Sequence, residues 1–327
     1  MQASFFTSKD SKLFCNTPLH FTLTNRYNGI SLPPYDSLNL AYHVNDIQSN
    51  VLQNRAYIMQ KYYKDKTLLY LNQIHSNIIF TTKYVSKHTE SNSHHLQHSK
   101  EANIESKKDF LSISQECTIC KDFSKACKNN EHIESISHSF NLKHTKKHKV
   151  CKSHIQKYKY YSEALVGQGD GMICDNPNLV LMSMVADCNP ILVYSPTKNV
   201  FALLHAGRIG VCQKILTHAI MLLKGNYGVD LCDILVFIGA SIRKCCYVIG
   251  KDLAMQIINE FGEEHVIYDG NQYRLDMIGL LCDELSELGV TYSQVEIHDC
   301  CTCCNEAYFS YRREGLTGRF GLFASLN

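Results

Sequence analysis

The chain has 327 residues, 45% of them hydrophobic, which allows one large domain or two ordinary ones with a substantial core. A formal net charge of +2 gives no electrostatic reason to expect nucleic acid or a membrane surface as the main partner. No run approaches ~18 unbroken apolar residues, and the first residues lack the basic start and apolar core of a signal peptide. Sixteen cysteines in so long a chain then fit a reduced, cytoplasmic protein better than a disulfide scaffold.

In chain order, TLLYLNQIHSNIIFTTKYV alternates enough to predict two short strands around His75. The composition then changes. Residues 85–160 hold fourteen Lys, no Arg, nine of the sixteen His and four Cys. This interval is polar and aperiodic, and it cannot bury enough apolar surface to offset its ordering entropy. It is predicted to be a flexible insertion with a short helix or two, interrupting a discontinuous domain formed by 1–84 and 161–327. It would offer a basic tether to a protein partner. Cys117 and Cys120, with Cys127 nearby, have zinc-knuckle spacing but lack a second pair at fixed distance.

GQGDGMICD follows as a turn-rich entry to a strand, without a P-loop Lys. NLVLMSMVAD, ILVYS and VFALLHA are short apolar runs suited to buried strands. RIGVCQKILTHAIMLLKG has helical spacing and is predicted to stop at Gly225. DILVFIGAS and QVEIHDC read as strands, and KDLAMQIINEFG and LDMIGLLCDELSELG as amphipathic helices ended by Gly. The pattern predicts an α/β or α+β fold, a mixed β-sheet sandwich flanked by helices.

His75, Cys188 and His205 each close a strand-like run beside a turn. If those strands are neighbours, one thiolate and two imidazoles converge. Zinc prefers such donors, and a three-ligand site leaves one position for water or phosphate. Spacing alone also allows hydrogen-bonded structural histidines and a small buried cysteine. Cys300, Cys301, Cys303 and Cys304 read as partly buried thiols, or adventitious metal binders, rather than a structural zinc site.

Six blocks together carry a family resemblance: TNRYNGISLPPYDSLNLAYHVNDIQSNVLQNRAYI, LNQIHSN, VADCNPILVYSP, LLHAGRIG, FIGASIRKCCYVIG and YFSYRREGLTGRFG. In this order they resemble the laccase-domain family of purine nucleoside phosphorylases, which includes the peptidoglycan editing factor. The resemblance implies zinc ligands at His75, Cys188 and His205, though copper shares these donors. It implies phosphorolysis of adenosine, inosine, guanosine and methylthioadenosine, and deamination of adenosine. Cys188 would be central to catalysis. Arg26, Arg312 and Arg313 are candidate phosphate contacts, because a planar guanidinium binds oxygens in pairs. Asp187 would orient a ligand or serve as a turn acceptor.

The chain departs from the family pattern at His-Ala-Gly-Trp-Arg-Gly, where Arg208 replaces the Trp and Ile209 the Arg. Any anion contact of that Arg then falls to Arg208 only if the local turn compensates. A true multicopper oxidase requires about ten His, several as His-x-His pairs. This chain has no His-x-His and only seven His outside 85–160. The alternative function is a hydrolase with Cys188 as nucleophile and His205 as base, acting on an amide of a cell-wall precursor.

Overall fold

The computed structural model describes residues 4–84, 111–116, 136–138, 146–147 and 161–327. Two sheets pack face to face. The first runs, in spatial order, Phe6–Thr7, Leu19–Leu23, Phe320–Leu326, Leu179–Val185, Thr67–Asn72, Ser162–Gln168 and Lys146–Lys147. The second runs Val295–Ile297, Leu235–Ile238, Asn189–Ser195, Val200–Ala206, Gly171–Cys174, Ile79–Tyr84, Leu111–Glu116 and Ile136–His138. A third, three-stranded sheet is not hydrogen-bonded to either, and its Ile249 and Leu275 join the core on the outer face of the second.

The apolar runs are fully buried because both faces of each sheet are covered. Leu181, Leu192, Tyr194, Phe201 and Leu203 fill the space between the sheets. Their neighbours Ile191, Val193, Ala202 and Leu204 face the other way, onto Leu216, Ala219 and Ile220 of the helix Ile215–Tyr227. On the far side of the first sheet, Val180 and Met182 pack against Ala56, Ile58 and Met59 of the helix Gln48–Tyr62. The period of two along each strand thus sorts alternate residues into two cores. The result is one domain of helix, sheet, sheet and helix layers, as the sequence predicts.

One buried ion pair ties the halves of the chain on either side of 85–160. Arg55, on the helix Gln48–Tyr62, lies 2.9 Å from Glu163 on the strand Ser162–Gln168. Its guanidinium also lies against the rings of Tyr42 and Tyr70, 4.2 Å from each ring centre.

One expectation changes. The helix predicted to stop at Gly225 is broken earlier and ends later. Lys214, at φ 56°, separates Arg208–Cys212 from Ile215–Tyr227. Gly225 is carried inside the second helix, and the terminator is Gly228, whose φ of 63° closes the end in the left-handed region. Within 85–160, the described pieces are strands, and the short helices expected there fall outside the described residues. Leu111–Glu116 pairs antiparallel with Ile79–Tyr84 and with Ile136–His138, and Lys146–Lys147 pairs with Ser162–Gln168. Cys117, Cys120 and Cys127 lie outside the described residues.

Candidate metal centre and its cavity

The chain passes from one sheet to the other through Ala186, Asp187 and Cys188, between the strands Leu179–Val185 and Asn189–Ser195. Asp187 takes φ 97°, a sparsely populated conformation for a residue with a Cβ. Its side chain supports the turn, accepting from the Thr302 hydroxyl and the Arg312 backbone N–H, both at 2.7 Å. This turn leaves Cys188 on a cavity wall. His205 pairs in register with Pro190 near the end of its strand, and so lies beside the same turn. His75, in the loop after Thr67–Asn72, also has left-handed backbone, φ 59°.

The ligand atoms of His75, Cys188 and His205 all lie within 4.8 Å of one another. The Cys188 sulfur is 3.8 Å from His75 Nε2. The two imidazole rings meet edge to face, 4.9 Å apart. Gly207 makes this convergence possible, since a Cβ there would stand 2.7 Å from His75 Cδ2 and 3.2 Å from the Cys188 sulfur.

Asp170 organises the group. Its Oδ1 lies 2.8 Å from His205 Nδ1 and accepts the His75 N–H at 3.0 Å. Its Oδ2 accepts from the Ser76 N–H at 2.6 Å and the Ser76 hydroxyl at 2.7 Å. One buried carboxylate therefore fixes the loop carrying His75 and the tautomer of His205, leaving His205 Nε2 free to act as a ligand. Such carboxylate–imidazole pairs orient metal-binding histidines and raise their basicity. Burial disfavours the Asp170 charge, but these donors outweigh it and hold the carboxyl below its ordinary range. Burial likewise opposes the Cys188 thiolate. The charge of His205 and hydrogen bonds from His205 and His75 overcome it and bring the thiol down to about 6. His205 is lowered by burial but raised more by Cys188 and Asp170, to about 9.

The trio opens into a cavity of about 350 Å³, within the size range of small-molecule sites. Met184, Val185, Ile242 and Met277 give it an apolar side. Arg208, Arg312 and Arg319 give it a cationic one. Among the described residues, Asp187 is the single acid lining it, and that carboxylate is already engaged.

Of the candidate phosphate contacts, Arg312 lines the cavity, held by the carbonyls of Cys246 and Val248 and lying over the Tyr247 ring. Arg26 and Arg313 do not line it. Arg26 pairs with Glu314 and Asp36. Arg313 donates to the carbonyls of Thr302, Cys303 and Tyr308, and to Glu314. Arg208, at the first turn of Arg208–Cys212, does face the cavity, and Ile209 is exposed. Sequence reasoning missed Asp170 and Arg319. Their signals were an acid set between turn glycines in GQGDG and the Arg of the terminal TGRFG.

The chain matches the family described as Multi-copper polyphenol oxidoreductase laccase over residues 20–111 and 106–327. It is 31% identical to a purine nucleoside phosphorylase of Clostridium acetobutylicum over 192 residues, 57% of this chain and 78% of the relative. It is 24% identical to the purine nucleoside phosphorylase YfiH of Escherichia coli over 303 residues, 92% of this chain and 90% of the relative. The crystal structure of YlmD from Geobacillus stearothermophilus superposes with a TM-score of 0.68 at 23% identity, covering 97% of this chain and 94% of that one. That likeness bears on the fold. Among the described residues, no helix is long and apolar enough to cross a membrane.

Proposed function

The chain belongs to the multi-copper polyphenol oxidoreductase laccase family, matched over most of its length, and on that premise we propose that it is a metal-dependent purine nucleoside phosphorylase. The observation that carries the reading is the convergence of His75, Cys188 and His205 on a cavity whose wall also bears three arginines. The names of the relatives agree with it.

The donor set fits zinc. One thiolate and two imidazoles, with a carboxylate behind one imidazole, leave room for a fourth ligand. Copper shares these preferences. The same donors do not fit a multicopper oxidase, because the cluster supplies two imidazoles where a trinuclear centre alone needs several more. Bound at the trio, zinc would supply a Lewis acid and a coordination position for an oxygen ligand.

The residues of the chain divide the remaining work. Arg208, Arg312 and Arg319 bind and orient phosphate by charge-assisted hydrogen bonds. A phosphate oxygen forms a bond to the ribose C1′ as the C1′–N9 bond breaks, and that electron pair leaves with the purine. The apolar side, with Met184, Val185 and Ile242, receives the flat base and excludes water. Asp170 keeps the His205 proton on Nδ1. Inosine, guanosine, adenosine and methylthioadenosine are the proposed substrates. Deamination of adenosine, in which water adds at C6 and ammonia leaves, is proposed for the same cavity.

A second reading has its own support. Cys188, His205 and Asp170 alone form a thiol, imidazole and carboxylate series, with the thiol held down to about 6. That series would serve an amide hydrolase. In that series the His75 imidazole serves only to steady the thiolate, whereas as a third donor it completes a metal-ligand set, which favours the metal reading. Inosine incubated with and without phosphate separates the two. Ribose 1-phosphate and hypoxanthine formed only with phosphate supports phosphorolysis. Failure of zinc to protect Cys188 from iodoacetamide, with no phosphorolysis, supports the hydrolase.

A further inference from the structure

The fold brings together two cysteine pairs that lie far apart in sequence. Cys245 and Cys246 follow the strand Leu235–Ile238, and Cys301 and Cys304 follow Val295–Ile297, and these two strands pair in parallel. A bridge between Ser241 and Cys301 continues that pairing beyond the strands. The sulfurs of Cys245, Cys246, Cys301 and Cys304 all lie within 4.8 Å of one another. Cys304 is 3.6 Å from Cys245 and 3.2 Å from Cys246, sulfur to sulfur.

We propose that these four cysteines form a second, structural metal site, a tetrathiolate centre for zinc or a similarly soft divalent ion, separate from the His75–Cys188–His205 group. Three observations carry it. Zn–S bonds of ~2.3 Å in a tetrahedron place sulfurs about 3.8 Å apart, close to the observed separation of Cys245 and Cys304. Cys301 and Cys304 have the C-x₂-C spacing common in structural zinc sites. The Cys301 sulfur also accepts the Arg243 backbone N–H at 3.5 Å, which ties its turn to the one carrying Cys245 and Cys246. Binding releases the thiol protons to solvent.

The site's role follows from what its two turns hold. The Cys246 carbonyl accepts from Arg312 and the Cys303 carbonyl from Arg313, while the Thr302 hydroxyl binds Asp187. Fastening the two turns together therefore sets one wall of the cavity.

Two measurements test this. In the unaltered protein, reduced and loaded with zinc, mass spectrometry follows iodoacetamide labelling. Cys245, Cys246, Cys301 and Cys304 should label at least about tenfold more slowly than exposed Cys15, and chelation should remove that protection. In a His75→Ala/His205→Ala background, Co²⁺ titration should give a thiolate-to-cobalt charge-transfer band at one equivalent. Adding Cys301→Ser/Cys304→Ser should abolish the band, and adding Cys117→Ser/Cys120→Ser should leave it. Equal labelling of the four thiols and Cys15 with and without zinc overturns the proposal. So does a band that survives Cys301→Ser/Cys304→Ser, or a Cys246–Cys304 disulfide in the protein as purified.

Discussion

The Asp170 carboxylate lies 2.8 Å from His205 Nδ1 and, through the same oxygen, 3.0 Å from the His75 backbone N–H. One acid thus sets two of the three proposed ligands. Asp170→Asn keeps the shape but replaces one acceptor with a donor, against the Ser76 N–H or the His205 ring. Metal affinity should fall about 10- to 100-fold, read by competition with a chromophoric chelator. Unchanged affinity would leave Asp170 with only a loop-fixing role.

Gly207 gives a more local test. Its φ of −71° suits any residue, so Gly207→Ala costs nothing in the backbone. The new Cβ would stand 2.7 Å from the His75 ring. Metal binding and turnover should drop sharply while the unfolding midpoint stays within a few degrees of the parent, measured by thermal scanning with and without zinc.

The three-residue link from Val185 to Asn189 shows what was legible in the sequence. Cys188 stands out there because it interrupts a long apolar run, and His75 and His205 stand out because each ends one. Asp170 gives no such signal. Its role arises from hydrogen bonds to segments about 35 and 95 residues away in sequence. Arg312 and Arg313 are indistinguishable as letters, yet adjacent positions on the short helix Tyr311–Glu314 diverge by about 100°. One meets the cavity and the other a cage of carbonyls. The helix Gln48–Tyr62 was unreadable because its buried face includes Asn54 and Arg55, which blur the apolar period. The pairing of Cys245–Cys246 with Cys301–Cys304 depends on a parallel strand contact that no local pattern records.

The guanidinium groups of Arg319 and Arg312 line the cavity, and among the described residues their hydrogen bonds run to backbone carbonyls rather than to carboxylates. Replacing either by Gln should raise the KM for phosphate about tenfold or more, at roughly 1.5–3 kcal/mol per charged hydrogen bond. The KM for inosine should change far less. Steady-state rates across both substrates measure the difference, and equal effects on the two would remove the phosphate assignment.

Glu163 links stability to pH. Burial opposes its charge, but Arg55 and the hydroxyls of Tyr161 and Tyr42 outweigh it, so its folded pKa is lowered. A lowered folded value contributes stability that is fully present above the unfolded Glu pKa, ~4.3, and is lost as pH falls through the folded value. Glu163→Gln leaves the Arg55 charge buried without a counter-ion and should cost about 3 kcal/mol at pH 7. Urea unfolding from pH 7 downward should show the gap between parent and variant closing in acid. A pH-independent gap would contradict this linkage.

The most direct test of the central claim combines metal content with inosine phosphorolysis, in the parent protein and in His75→Ala. The parent should carry zinc and release hypoxanthine only with phosphate. His75→Ala should lose one equivalent of zinc per chain together with that activity, while keeping its fold by circular dichroism. A His75→Ala protein with unchanged metal content and full phosphorolysis would contradict the assignment of the trio as the metal centre.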